Sequence, residues 1–230
     1  MHGHNPLSDK SLFRSPRLFY RAVEDNEEDR AFLQHQILND PTIQTVSTMR
    51  LKCPLPSGSA TEFIKALQTS ILGVMICLPP VSDGDETAGT PPDVHDAIST
   101  ISTTTPQPRT DPNKKPTPIG HLGFFNPWGS NLHHHRNAML GISLAEGYRG
   151  RGYGAEAVNW ALDWAFVHAG LHRVSLGAFA FNETAVKLYR RLGFVEEGRE
   201  RLALLYRRRW HDVINFSMLE EEWMALRGME

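Results

Sequence analysis

Within six residues, Arg149-Gly150-Arg151-Gly152-Tyr153-Gly154, the chain places three glycines and two arginines, with Ala155 opening a run of helical spacing directly after them. Glycines let a backbone come close to a ligand, and successive amides can turn inward. The helix start adds partial positive charge. With Arg149 and Arg151 supplying full charges nearby, the chemistry this suits is the holding of a diphosphate.

Three phosphate-binding patterns compete for such a turn. The P-loop run G-x-x-x-x-G-K-[ST] is not in the sequence. Gly150, Gly152 and Ala155 satisfy the dinucleotide pattern G-x-G-x-x-A, which makes a nicotinamide-dependent oxidoreductase a rival. That pattern expects an acid at the end of the next strand, where the chain reads Gly177-Ala178-Phe179-Ala180, and too little chain follows for a doubly wound sheet. The third pattern, R-x-x-G-x-G, is met by Arg149, Gly152 and Gly154.

Downstream, Asn182-Glu183-Thr184-Ala185-Val186-Lys187-Leu188-Tyr189-Arg190-Arg191-Leu192-Gly193-Phe194 fits N-x-x-A-x-x-L-Y-x-x-x-G-F. On these two motifs the sequence resembles the GCN5-related N-acetyltransferases (GNAT), whose glycine turn cradles the pyrophosphate of coenzyme A. The tail Tyr206-Arg207-Arg208-Arg209-Trp210-His211-Asp212-Val213, continuing to Met218-Leu219 and Glu222-Trp223, is similar to the branch of ribosomal-protein N-terminal and spermidine acetyltransferases. The resemblance follows the whole chain in element order, while its specific motifs sit in the C-terminal half.

The resemblance implies acetyl-CoA as co-substrate and direct transfer of its acetyl group to a primary amine in a ternary complex. It implies that the backbone of Ile142, Ser143 and Leu144 binds the pantetheine arm, with an N–H there steadying the oxyanion. The residues Arg149 to Ala155 take the pyrophosphate. Tyr189 stands where the family's hydroxyl faces the sulfur and can protonate the departing thiolate, although its spacing also suits a core aromatic. Asn182 reads both as a helix N-cap and as a coenzyme contact. Lys187 and Arg190 divide evenly between phosphate contact and a solvated helix face.

A general base is missing from the pattern. Many relatives read Ala-Glu-(Ile or Leu)-Gly before the turn, whereas this chain reads Ala138-Met139-Leu140-Gly141. That departure motivates the principal rival reading, a catalytically silent acyl-CoA-binding module. His121 and His133-His134-His135 lie nearby, but adjacent histidines on a strand alternate in direction, so no metal site is expected.

The elements that must position these residues follow from periodicity. Arg17 to Val23 reads as a strand, and the acidic stretch Glu24 to Asp29 leads into a helix carrying Phe32, Leu33, Ile37 and Leu38. A break at Pro54, Pro56 and Gly58 precedes a second helix bearing Phe63, Ile64 and Leu67, and Ile71 to Leu78 reads as a buried strand. Strands are expected at Ile119 to Phe125 and Ala138 to Leu144, joined by a turn containing Pro127, Gly129 and Asn131. A helix from Ala155 to Ala169, a strand from Arg173 to Phe179, a helix capped by Asn182, and strands at Val195 to Leu205 and Asp212 to Leu219 complete the chain. Trp210, Phe216 and Trp223 read as core. From Pro79 to Pro118 aromatic residues vanish and Pro, Ser, Thr, Asp and Gly dominate, which reads as a disordered insertion between two strands.

The expectation is one mixed α/β (α+β) domain over residues 1–230, with a twisted, mainly antiparallel sheet flanked by helices. Forty per cent apolar and 22% charged residues suit a soluble globular chain, and a net charge of -2 offers no global attraction to nucleic acid or anionic membrane. The apolar run Ile71 to Leu78 is too short to span a bilayer, and residues Met1 to Pro6 show no secretory or lipidation signal. Cys53 and Cys77 lie in unlike contexts, which favours free thiols and a cytoplasmic location. The expected partner is a small-molecule or protein amine, with the chain a monomer or a homodimer. The run Arg207-Arg208-Arg209 reads as a solvated surface.

Overall fold

A computed structural model describes residues 12–80, 115–129 and 132–229. One sheet of seven strands runs through them in the order β1-β2-β3-β4-β5-β7-β6. Its strands are β1 (Phe19–Ala22), β2 (Leu72–Leu78), β3 (Thr117–Phe125), β4 (Asn137–Leu144), β5 (Arg173–Phe179), β6 (Val195–Tyr206) and β7 (Arg209–Leu219). All neighbours are antiparallel except β4 and β5, which run parallel. No helix among the described residues is long and apolar enough to cross a membrane. Cys53 is exposed, Cys77 is buried, and both are free thiols.

Strand alternation divides the core into two clusters. Val74, Ile76, Leu122 and Phe124 pack on one face with Val158, Ala161 and Leu162 of helix α4 (Tyr153–Asp163) and with Val186 of α5 (Glu183–Arg191). Met75 and Cys77 point the other way, toward Leu33, Ile37, Ile43, Ile64 and Leu67. Those residues come from α1 (Glu27–Phe32) and the π-helical turn Leu33–Leu38 that extends it, from α2 (Pro41–Ser47), and from α3 (Ser59–Gln68).

Several expectations require correction. Helix α2 was not foreseen, although Asp40-Pro41 is a start signal. The Asp40 side chain accepts from the Thr42 and Ile43 amides at 2.7 and 3.0 Å, and Pro41 needs no amide partner at the first position. A last helix, α6 (Glu220–Arg227), buries Trp223 and ends at Gly228 in the left-handed region. Strand β1 is shorter than expected, β3 starts inside the expected insertion at Thr117, and β7 starts at Arg209 rather than Asp212. His133–His135 form a 3-10 turn, not a strand. Phe216 and Trp223 are buried, but Trp210 is 58% exposed on the hairpin tip and is not core. Asn131 and insertion residues 81–114, like the first 11 residues, lie outside the described residues.

Candidate active site

The parallel pair β4 and β5 is in register only along Asn137↔Arg173, Ala138↔Val174 and Met139↔Ser175. Beyond that point β5 stays paired with β7 as far as Phe179, and β4 stays paired with β3 as far as Leu144. The two strands therefore part, and the stretch from Leu140 to Leu144 keeps a ladder partner on one side only. Ile142, Ser143 and Leu144 lie half-buried along this interior edge, whose amides and carbonyls can pair with an extended, amide-bearing arm.

The chain leaves β4 through a 3-10 turn, Glu146–Tyr148, and enters the glycine turn. Gly150 and Gly152 have φ of +74° and +80°, the left-handed region that glycine reaches without a Cβ penalty. Gly152 is the N-cap of α4 and offers no side-chain acceptor, so among the described residues no side chain caps the first amides of this helix, which can meet an anion. A Cβ on Gly154 would sit 3.7 Å from Leu144 Cδ1 and 4.0 Å from Leu188 Cδ2, so the turn, the end of β4 and α5 converge there.

The two arginines of the turn differ. Arg149 donates from Nε to the Leu144 carbonyl at 2.8 Å and forms an ion pair with Asp40, so its charge ties the end of β4 to the start of α2. Burial acts to raise the Asp40 pKa, yet the Ile43 amide and the Arg149 guanidinium hold its carboxyl below the ordinary range. Arg151 is exposed, and its carbonyl accepts from Arg17 Nη1 at 3.0 Å. Arg17 also lies 4.7 Å over the Tyr153 ring and pairs with Glu156 in the first turn of α4 at 2.7 Å. Sequence reasoning missed Arg17, Glu156 and Asp40 as members of the site. Only Asp40 carried a local signal, its place before a proline.

Tyr189 sits half-buried on α5, with its ring against Phe194 and Phe216 at centroid distances of 5.8 and 6.1 Å. It thus packs as a core aromatic, and burial pushes its hydroxyl pKa up to about 12, which keeps the proton on at neutral pH. Asn182 is an N-cap, accepting from the Ala185 amide at 3.3 Å. Lys187 pairs with Glu183 on the exposed face of α5, and Arg190 pairs across to the half-buried Glu196 of β6.

Met139, in the place of the missing glutamate, is 43% exposed at the last paired position before the strands part. His121 lies across from Ser143 on β3, edge-on to Phe63 at 4.9 Å and only 6% exposed. Burial lowers its pKa to about 4, and its Nδ1 has no hydrogen-bond partner among the described residues. No group of three or more His, Cys, Asp or Glu is placed to hold a metal ion among the described residues.

Residues 109–194 match the family model described as Acetyltransferase (GNAT) family. The chain is 33% identical over 90 residues to the spermidine N(1)-acetyltransferase of Vibrio cholerae, a match that spans 39% of this chain and 52% of that protein. It is 33% identical over 88 residues to YdaF of Bacillus subtilis, whose name proposes a ribosomal N-acetyltransferase, across 38% of this chain and 48% of that one. The chain thus spans about half the length of these curated relatives. Among solved structures, it superimposes on Vibrio cholerae spermidine N-acetyltransferase in complex with CoA and spermine with a TM-score of 0.62. That match has 20% identity and covers 91% of this chain and 99% of the other. A GNAT-family acetyltransferase from Bacillus anthracis gives 0.60 at 16% identity, covering 89% and 96%. The likeness read from the glycine turn and the Asn182 helix is borne out by the family match, and the fold is that of the GNAT structures.

Proposed function

We propose that this chain is an acetyl-CoA-dependent N-acetyltransferase acting on a primary amine. The observation that carries the reading is the parting of β4 from β5 beside the uncapped start of α4. An interior strand edge and an anion-binding turn share one opening there, matching the pantetheine arm and the pyrophosphate of one molecule. The residues assigned are the backbone of Ile142, Ser143 and Leu144 for the arm and Arg149 to Ala155 for the pyrophosphate. Asn182, the N-cap of α5, is assigned as a further coenzyme contact.

In the reaction the amine nitrogen bonds to the acetyl carbon and the carbon–sulfur bond breaks. A β4 amide facing the gap stabilises the negative charge that develops on the carbonyl oxygen. Tyr189 gives its hydroxyl proton to the departing thiolate, and the amine proton leaves through solvent, since Met139 cannot accept it. The GNAT match and the spermidine and ribosomal acetyltransferase relatives support an amine acceptor. The two free thiols suit a reducing cytoplasm.

Calorimetric titration with acetyl-CoA, with NAD as control, tests the reading. Saturable micromolar binding of acetyl-CoA alone is the expected result, and folded protein that binds neither ligand would sink it. Met139 favours one second reading, a silent acyl-CoA-binding module. Coenzyme binding without thiol release across a panel of amines would select that module.

A further inference from the structure

Where β4 and β5 part, the sheet also has a face directed away from α4. Leu176 and Ala178 point into the cluster shared with α4, so by strand alternation Gly177 and Phe179 face the other side, and α2 contacts β5. At the end of β5 on that face stands an aromatic group built by the β6–β7 hairpin. Phe181 is 5.7 Å from Phe179, stacks on Tyr206 at 4.5 Å, and meets His211 edge-on at 5.0 Å. The segment after α2 reaches across to it, placing Lys52 Nζ 4.5 Å over the Tyr206 ring, and Arg207 approaches the same ring at 5.3 Å. Arms from two distant parts of the chain thus meet around one tyrosine at the rim.

This rim is basic. Lys52, Arg207, Arg208 and Arg209 are exposed and form no salt bridge among the described residues. Two carboxylates lie nearby: Glu200 accepts from the neutral Asn215 Nδ2 at 3.2 Å, while Asp212 accepts from the Leu202 amide at 3.0 Å and pairs with Arg199 at 3.9 Å, so four cations of the rim face one carboxylate, Glu200, without a cationic partner among the described residues. Arg207 and Arg208 form the hairpin turn with φ of +47° and +60°, a conformation glycine and asparagine adopt far more readily. The chain as a whole is slightly acidic, so the patch is a local concentration of positive charge.

Resting on the acetyl-transfer reading, we propose that this rim selects an acceptor amine with a carboxylate close by, as an acidic polypeptide N-terminus or an acidic amino acid has. A polyamine is disfavoured. The reacting amine passes between β4 and β5, and an anionic group beside it meets Lys52 and the hairpin arginines. The further ammonium groups of a polyamine would meet the same cations and be repelled.

The test is steady-state acetylation at saturating acetyl-CoA. The acceptors are a peptide with Asp and Glu after its first residue, the matched peptide with Lys there, free glutamate, and spermidine. The acidic peptide is expected to exceed the Lys peptide and spermidine in kcat/KM by about tenfold at low salt, with the margin shrinking at high salt. Lys52→Glu with Arg207→Glu should reverse the order, and the milder Lys52→Gln with Arg207→Gln should level it. Calorimetry should show acetyl-CoA affinity unchanged in both. Turnover of free glutamate at comparable efficiency would identify a small-molecule acceptor, and turnover of the peptide alone a polypeptide. Spermidine as the best acceptor, a preference indifferent to these substitutions, or acetyl-CoA binding with no acidic acceptor used would each overturn the proposal. Failure to bind acetyl-CoA would instead remove the underlying reading.

Discussion

Arg17 and Glu156, 139 residues apart, form a two-point clasp: the amide and the Nε of Arg17 each donate to one carboxylate oxygen of Glu156 at 2.7 Å. Ser15 Oγ donates to the same carboxylate at 2.6 Å, and Trp160 Nε1 donates to the Leu12 carbonyl at 2.9 Å. The segment before β1 therefore straps the first turns of α4, and Arg17 Nη1 reaches on to the Arg151 carbonyl inside the glycine turn.

This clasp fixes the turn before a ligand arrives. Arg17→Ala or Glu156→Gln is expected to weaken acetyl-CoA binding about fivefold, equivalent to about 1 kcal/mol for a partly exposed pair. Turnover at saturation should hold within a factor of about two. Calorimetry with a kcat against KM comparison checks it, and the double variant should lose little more than either single one.

Gly152→Ala adds strain at φ of +80°, and its new methyl would lie 3.2 Å from Arg17 Nη2. A loss of about 1–2 kcal/mol is expected, lowering Tm by roughly 2–8 °C, with weaker acetyl-CoA binding. Gly58→Ala, at a position with open space and negative φ, is the control and should leave both measurements near the original values.

Tyr189→Phe keeps the ring packing against Phe194 and Phe216 and removes only the proton donor. A kcat lower by roughly a hundredfold with unchanged acetyl-CoA affinity is expected. Because the hydroxyl titrates at about 12, its acid form persists at every pH below that value. Turnover by the original chain should therefore show no alkaline loss from this group between about pH 8 and pH 10. Unchanged turnover in the Phe variant would leave Tyr189 a packing residue.

His121 titrates near 4 in the folded chain against 6.5 when solvated, because burial disfavours its charged form. Between these values the unfolded chain binds more protons, so stability is complete above 6.5 and falls as the pH drops toward 4. The slope approaches about 1.4 kcal/mol per pH unit. Urea melts at neutral and acidic pH should show this slope in the original chain and a reduced one in His121→Leu.

The sequence by itself determined whatever is written in neighbouring residues. The glycine turn is legible because a positive φ, an uncapped helix start and close backbone approach are demands met within six residues. The Asn182 cap and the alternation that buries Val74 and Ile76 on one face and Met75 and Cys77 on the other are equally local. Helices α2 and α6 escaped because each is short and takes much of its stability from packing. Only the tertiary structure decided where β4 leaves β5, because register is a relation between strands far apart in sequence. Likewise it alone turned Arg149 toward Asp40, brought Arg17 to the glycine turn, and set Lys52 over Tyr206. A charged side chain several bonds long can meet many partners, and the folded backbone chooses which one it meets.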